Sequence, residues 1–222
     1  MKKEMRKYVY GVLMALACAV VMLCGCVEKG VKMPEMEHGD LLFNVVPQNG
    51  TELAAAIADV TCDSGQLQIS HVAIVCRKGD DVFALEATTK KGVVLTPIDS
   101  FMNHADMTPD GKPYVVHARL KDTTGVAKCV ERAERYLGKP YDSLYMPDDS
   151  AIYCSELVQL SFIDASGSPI FELIPMSFHD DTGKITDFWI EHYKQYNLPV
   201  PDGEPGTNPG GILRSEKIMI VE

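Results

Sequence analysis

At 222 residues the chain has room for one domain and a leader, and nothing in it forces a second core. Apolar residues make up 46% and charged ones 23%, the balance of a globular protein and not of a disordered one. With residues 1–25 set aside, 17 basic side chains stand against 30 acidic ones, a formal charge near −13 that argues against nucleic-acid or polyanion partners.

The chain opens with Lys2, Lys3, Arg6 and Lys7 ahead of an uncharged run over 8–27, the charged and apolar regions of an export signal. The run ends Leu23-Cys24-Gly25-Cys26, which resembles the bacterial lipoprotein signal: residues 1–25 would be removed and Cys26 lipidated. The plainer alternative is an uncleaved single-span anchor, since about 20 apolar residues cross a bilayer. On the first reading the protein is exported to the cell envelope and held on a membrane by the lipid at Cys26, because so acidic a chain would not adhere by charge. Residues 26–37 read as a tether and 38–222 as one domain, expected to be monomeric.

The domain begins with Gly39-Asp40-Leu41-Leu42-Phe43, a turn feeding a short apolar strand. An alanine-rich helix is expected over 52–60. An apolar strand ends the stretch 66–76 and another covers 81–87, with Lys78-Gly79-Asp80 turning between them. Strands are expected over 92–98 and 114–120. Val126, Cys129, Val130, Ala133, Tyr136 and Leu137 recur at helical spacing; Asp122 or Thr123 can cap that helix, and Gly138 with Pro140 stops it. Further helices are expected over 154–165 and 188–196, a loop over 199–211 and a closing edge strand over 217–221. Strands ahead of helices predict an α+β fold, an antiparallel sheet with helices on one side.

Four cysteines lie outside the leader: Cys62, Cys76, Cys129 and Cys154. None forms C-x-x-C, so zinc-ribbon and thioredoxin-type chemistry have no support. An exported chain could join two of them, although Cys76 and Cys129 fall at core positions. Cys154 is different because it opens a helical stretch, where amide groups and the helix dipole favour a thiolate. His71 stands alone on an apolar strand. If Lys78 faces Asp81 across the hairpin, then Ala73 faces Glu86, and His71 and Glu86 become diagonal neighbours on one face, about 7–8 Å apart. The three residues would make a nucleophile, a base and a carboxylate that orients it. Each also has a plain structural reading: a packed thiol, a boundary histidine, an exposed charge. His117 is the rival strand histidine, while His38, His104, His179 and His192 read as surface residues. His179-Asp180-Asp181 is too local to signal a metal, and no metal or cofactor is expected. No G-x-S-x-G elbow, P-loop or dinucleotide fingerprint is present.

Six segments in one order resemble the circularly permuted NlpC-type papain-like hydrolases of the YiiX/YebB kind. They are Gly39-Asp40-Leu41-Leu42-Phe43, Ser70-His71-Val72-Ala73-Ile74-Val75, Leu85-Glu86-Ala87, Tyr136-Leu137-Gly138-Lys139-Pro140-Tyr141-Asp142, Tyr153-Cys154-Ser155-Glu156-Leu157-Val158 and Pro205-Gly206-Thr207-Asn208-Pro209. The resemblance implies a papain-like α+β fold, an antiparallel sheet or partly open barrel packed against helices. It also implies a Cys154 nucleophile, a His71 base and Glu86 as the third polar member. Tyr141 and Tyr153 would shape the substrate pocket, though Tyr141 could equally be a core aromatic. The implied activity is cysteine-peptidase or amidase hydrolysis through a thioester, with a cell-wall stem peptide as the first substrate class. A lipid or N-acyl amide, cleaved or transferred, is the alternative. A non-catalytic binding lipoprotein is the reading from another class.

Overall fold

The computed structural model describes residues 35–46, 51–62, 65–146 and 150–221; the leader, Cys26 and the tether up to residue 34 lie outside the described residues. Six strands form one antiparallel sheet: β1 (Leu41–Val45), β2 (Ile69–Lys78), β3 (Asp81–Thr88), β4 (Gly92–Pro97), β5 (Val115–Leu120) and β8 (Ile218–Ile220), in the order β4-β3-β2-β1-β5-β8. The turn at Gly79-Asp80 sets the hairpin register. Lys78 faces Asp81 and Ile74 faces Leu85, as the sequence predicts.

The faces of this sheet are covered differently. Leu41, Phe43, Val72, Ile74 and Leu85 share a core with α3 (Val126–Glu134) and α4 (Cys154–Ser161), through Val130, Leu157 and Val158. The opposite face presents Leu42, Ala73, Val75 and Ala84 to Phe101 and Met102 of α2 (Ile98–His104). Helices on one side only was therefore the wrong expectation. At seven residues α2 is too short to declare a helical period, and its start follows a proline that also ends β4.

Helix α4 stops at Ser161, not at 165. The Phe162 N–H closes on the Val158 carbonyl at 2.9 Å, and the Arg132 guanidinium takes the carbonyls of Ser161 and Ile163 at 3.2 and 3.3 Å. Those bonds satisfy the helix end and turn the chain away. Neither Asp122 nor Thr123 caps α3 through its side chain; Gly125, at φ +80°, takes the cap position. The 199–211 loop contains structure of its own: β7 (Pro205–Gly206) pairs with β6 (Ile174–Pro175), and Asn208 starts α6 (Pro209–Leu213) by accepting the Gly211 N–H at 2.6 Å. The remaining helices are α1 (Glu52–Thr61) and α5 (Asp187–Lys194).

Two backbone connections deliver the site. The Val93 N–H donates to the Lys139 carbonyl and the Gly138 N–H to the Val93 carbonyl, both at 2.9 Å, so 138–139 run along the free edge of β4. A Cβ on Gly92 would fall onto that Lys139 carbonyl, which excludes any other residue there. The Ile152 N–H then bonds the Pro140 carbonyl at 2.9 Å, holding Tyr141 beside the start of α4.

His117, the rival histidine, is absorbed by a charged cluster. Its Nε2 lies 2.6 Å from Asp40 Oδ2, and Arg119 donates to both Asp40 oxygens at 2.6 and 2.8 Å. Burial works to raise the Asp40 carboxyl, but the hydrogen bonds from Arg119 and His117 outweigh it and hold it at about 2 against an ordinary 3.8. Because the folded value is the lower one, the cluster stabilises the protein above pH 4 and loses that contribution as pH falls towards 2. A shift of that size is worth roughly 2.5 kcal/mol. Urea unfolding titrated from pH 5 to 2 should lose about that much stability, and Asp40→Ala should flatten the slope in this window; an unchanged slope would refute the assignment.

Candidate active site

Cys154 is the first residue of α4, preceded by Tyr153 in extended conformation (φ −97°, ψ 169°). The Tyr153 N–H donates to the carboxylate of Glu156 at 3.2 Å, so the acidic side chain in the first turn fixes the helix entry. The Cys154 N–H belongs to the first turn and has no acceptor within the helix. Its sulfur is nearly buried, with the residue 4% exposed.

Next to His71, β2 carries one residue more than its partner. Asn44 of β1 faces His71, but Val45 faces Ile69, so Ser70 is left over as a bulge. Ser70 lines the pocket that holds Cys154, and His71 hydrogen-bonds the Cys154 sulfur. The other side of the ring is held at 2.7 Å between Nε2 and Glu86 Oε2, which leaves Nδ1 for sulfur. Glu86 in turn accepts the Thr96 hydroxyl on Oε1 at 2.6 Å. Phe101 of α2 packs beside the imidazole, ring centroids 6.3 Å apart. The side chains of His71 and Glu86 are 19% and 8% exposed.

Burial alone would push the imidazole towards neutrality. Its hydrogen bonds to Cys154 and Glu86, with their negative charges, reverse this and raise it to about 10. Glu86 is held below the ordinary carboxylate value: burial opposes this, and the bond from His71 prevails. A cationic imidazole between sulfur and carboxylate at a helix start can pass a proton to a group bound at the sulfur.

A pocket opens beside Cys154. Tyr141 and Tyr153 both line it, and so do Tyr145, Phe178 and Trp189. Thr207, Asn208 and Pro209 add a wall from the late loop. The loop is braced against the helix start: the Thr207 N–H donates to the Tyr153 hydroxyl at 3.1 Å, and the Ser155 hydroxyl donates to the Thr207 carbonyl at 3.2 Å. Burial, the leading cause for Tyr141, Tyr145 and Tyr153, keeps them as neutral phenols. Thr96, Ser70 and Tyr145 escaped the sequence reading. Extending the pairing arithmetic to the β3–β4 hairpin, where Glu86 faces Val94, would have put Thr96 next to Glu86.

The other histidines lie elsewhere. His192 is half-buried, and its Nε2 bonds the Ser143 carbonyl at 2.7 Å. His179 pairs with Asp202 at 3.1 Å. Among the described residues no three or more His, Cys, Asp or Glu side chains are grouped to hold a metal ion, and Cys62, Cys76, Cys129 and Cys154 are all free thiols.

The raised imidazole has a sign that NMR can read. The ring stays charged well above the ordinary histidine value of 6.5 and discharges only as pH rises through about 10. The His71 ring resonances should therefore stay constant between pH 6 and 8, where an ordinary histidine changes charge. Glu86→Gln removes one charged hydrogen bond, worth about 1.5–3 kcal/mol, and should bring the upper limit down by about 1–2 pH units. A His71 titration centred near 6.5 would dismiss the charged imidazole.

A family model described as permuted papain-like amidase enzyme, YaeF/YiiX, C92 family, matches residues 35–221. The protein YiiX of Escherichia coli strain K12 is 24% identical over 188 residues, spanning 83% of this chain and 85% of its own length. A crystal structure of YiiX from Escherichia coli O157:H7, described there as a metalloprotein, matches with a TM-score of 0.67 at 23% identity, over 84% of this chain and 96% of that one. The α+β architecture is thus that of a permuted papain-like protein, and the reading as a non-catalytic binding lipoprotein is set aside. The chain belongs to the permuted papain-like amidase family of YaeF and YiiX and is an enzyme of the cysteine amidase class.

Proposed function

We propose that Cys154 is the nucleophile, His71 the proton carrier and Glu86 the carboxylate that orients it, and that the bond cut joins an apolar acyl group to an amine. The thiolate of Cys154 adds to the carbonyl carbon, and the tetrahedral oxyanion takes a hydrogen bond from the Cys154 N–H. His71 gives the proton on Nδ1 to the leaving nitrogen as the C–N bond breaks, which leaves a thioester and a neutral ring. The ring then takes a proton from water, hydroxide adds to the thioester, and the acid departs as the thiolate and imidazolium are restored.

One observation carries the choice of substrate. Among the described residues the pocket beside Cys154 is built from tyrosines, Trp189, Phe178, Met176, Ile57 and small polar residues, with no charged side chain among them. Stem peptides of the cell wall carry free carboxylates, and a carboxylate without a partner is costly to bury in such a place. An N-acyl amide or lipid amide needs no cation. The pocket therefore favours the acyl amide over the cell-wall peptide, the two substrate classes that the sequence leaves open. The leader pattern supports the further proposal that the enzyme is exported and anchored in the cell envelope through a lipid on Cys26.

Two experiments bear on these proposals. Given equal amounts of N-acyl amides and γ-linked stem peptides, the protein should favour the amides about tenfold or more in kcat/KM, the scale set by a few methylenes in an apolar pocket. Cys154→Ala should abolish both activities. Cleavage of the stem peptides without the amides would reverse the choice. In a bacterial host, Cys26→Ser should move the full chain out of the membrane pellet and remove the lipid mass; an unchanged pellet would favour the uncleaved anchor.

A further inference from the structure

Tyr145 is a bulky side chain in the left-handed region, at φ +52°, a conformation that such a residue disfavours and that persists only where its surroundings impose it. The surroundings do impose it. The Asp142 carboxylate accepts the N–H groups of Leu144 and Met146 at 2.8 and 2.7 Å, on either side of Tyr145. The carbonyls of Ser143 and Leu144 are held by His192 and by the Tyr193 hydroxyl, both at 2.7 Å. Four bonds thus bracket one strained residue, and its ring is what they aim. That ring lines the pocket, nearly buried at 9% exposure. It lies edge-on to Tyr153 at 5.2 Å, to Tyr141 at 6.4 Å and to Trp189 at 5.6 Å.

We infer that Tyr145 is the specificity-determining end wall of the acyl pocket: its ring, packed against Tyr153 and Trp189, sets the longest apolar acyl chain that can sit with its carbonyl at Cys154. The inference rests on the acyl-amide reading for the nature of the substrate. Its geometry concerns only how far a chain can extend from the sulfur. A rigid aromatic wall discriminates steeply, since one methylene in an apolar pocket is worth about 10–200-fold.

The test reads chain length without requiring turnover. Alkyl chloromethyl ketones from methyl to undecyl place an alkyl chain where the acyl chain would lie, and the Cys154 thiolate displaces chloride to form a stable thioether. On the wild-type full chain the labelling rate, followed by intact mass, should rise with chain length and then fall by about tenfold or more past one length. Tyr145→Ala should move that fall to longer chains and Tyr145→Trp to shorter ones, read as the ratio of long-probe to short-probe rates in each protein. A wild-type rate with no fall, or a fall at the same length in both variants, would overturn the inference. Should Tyr145→Ala fail to fold, the wild-type profile and Tyr145→Trp still decide. If N-acyl amides are not cleaved but the ketone profile shifts as described, the substrate reading fails and the end wall stands.

Discussion

His71 keeps the phase of Ala73 on the sheet face covered by α2, where Phe101 packs beside its ring, and Cys154 belongs to the core on the face covered by α4. The thiol and the imidazole meet at the end of the strand, next to Ser70, which is inserted without a partner where the β1–β2 ladder slips by one residue. A bulge bends its strand and increases the local twist, and here it turns Ile69 to the face opposite His71. Upstream of it Ile69 packs into the α4-side core while downstream Ala73 packs under Phe101, so one strand serves both faces. The site exists at the seam between two cores, and the extra residue makes the seam.

What the seam holds together is an imidazole that burial alone would discharge. Two partners prevent that, each fixed by different means. Glu86 is held by the β2–β3 register and by the Thr96 hydroxyl, which occupies the carboxylate oxygen not facing His71. Cys154 is held by a helix start whose entry is closed by Glu156 and braced by the loop at Thr207. Each anchor lies on the main-chain framework, and the polar atoms of the carboxylate are used in full. A buried carboxylate with one idle oxygen would be a cost; here neither is idle.

The legible part of this arrangement was whatever local periodicity and pairing arithmetic control. The hairpin sum that puts Ala73 opposite Glu86 follows from a two-residue turn, so the His71–Glu86 bond could be anticipated from Lys78-Gly79-Asp80. Cys154 at the head of an apolar helix was equally local. The slip at Ser70 was not, because it appears only when β1 is laid against β2, and strict alternation predicts no extra residue. Helix α2 gave too few turns to show a period, and the end of α4 is decided by Arg132 from another helix. Tyr145 sits in a stretch of chain without period, and its importance lies in a backbone angle that its own residue type disfavours. Sequence shows preferences; a violated preference is visible only in three dimensions.

The way the parts are fastened separates chemistry from selectivity. Cys154, His71, Glu86 and Thr96 stand on α4, β2, β3 and β4, elements locked by main-chain ladders. The pocket walls are hung instead from side chains of α5: His192 and Tyr193 carry the 143–145 stretch, and the Trp189 indole N–H reaches the Ala56 carbonyl of α1 at 3.4 Å. Main-chain ladders tolerate side-chain replacement, while a wall held by individual side chains moves when one of them changes. A chain only 24% identical to YiiX can therefore keep the shared fold while its pocket is cut to another substrate. Likeness across this family carries the class of reaction much further than it carries the identity of the substrate, and the second has to be read from the pocket walls of each chain.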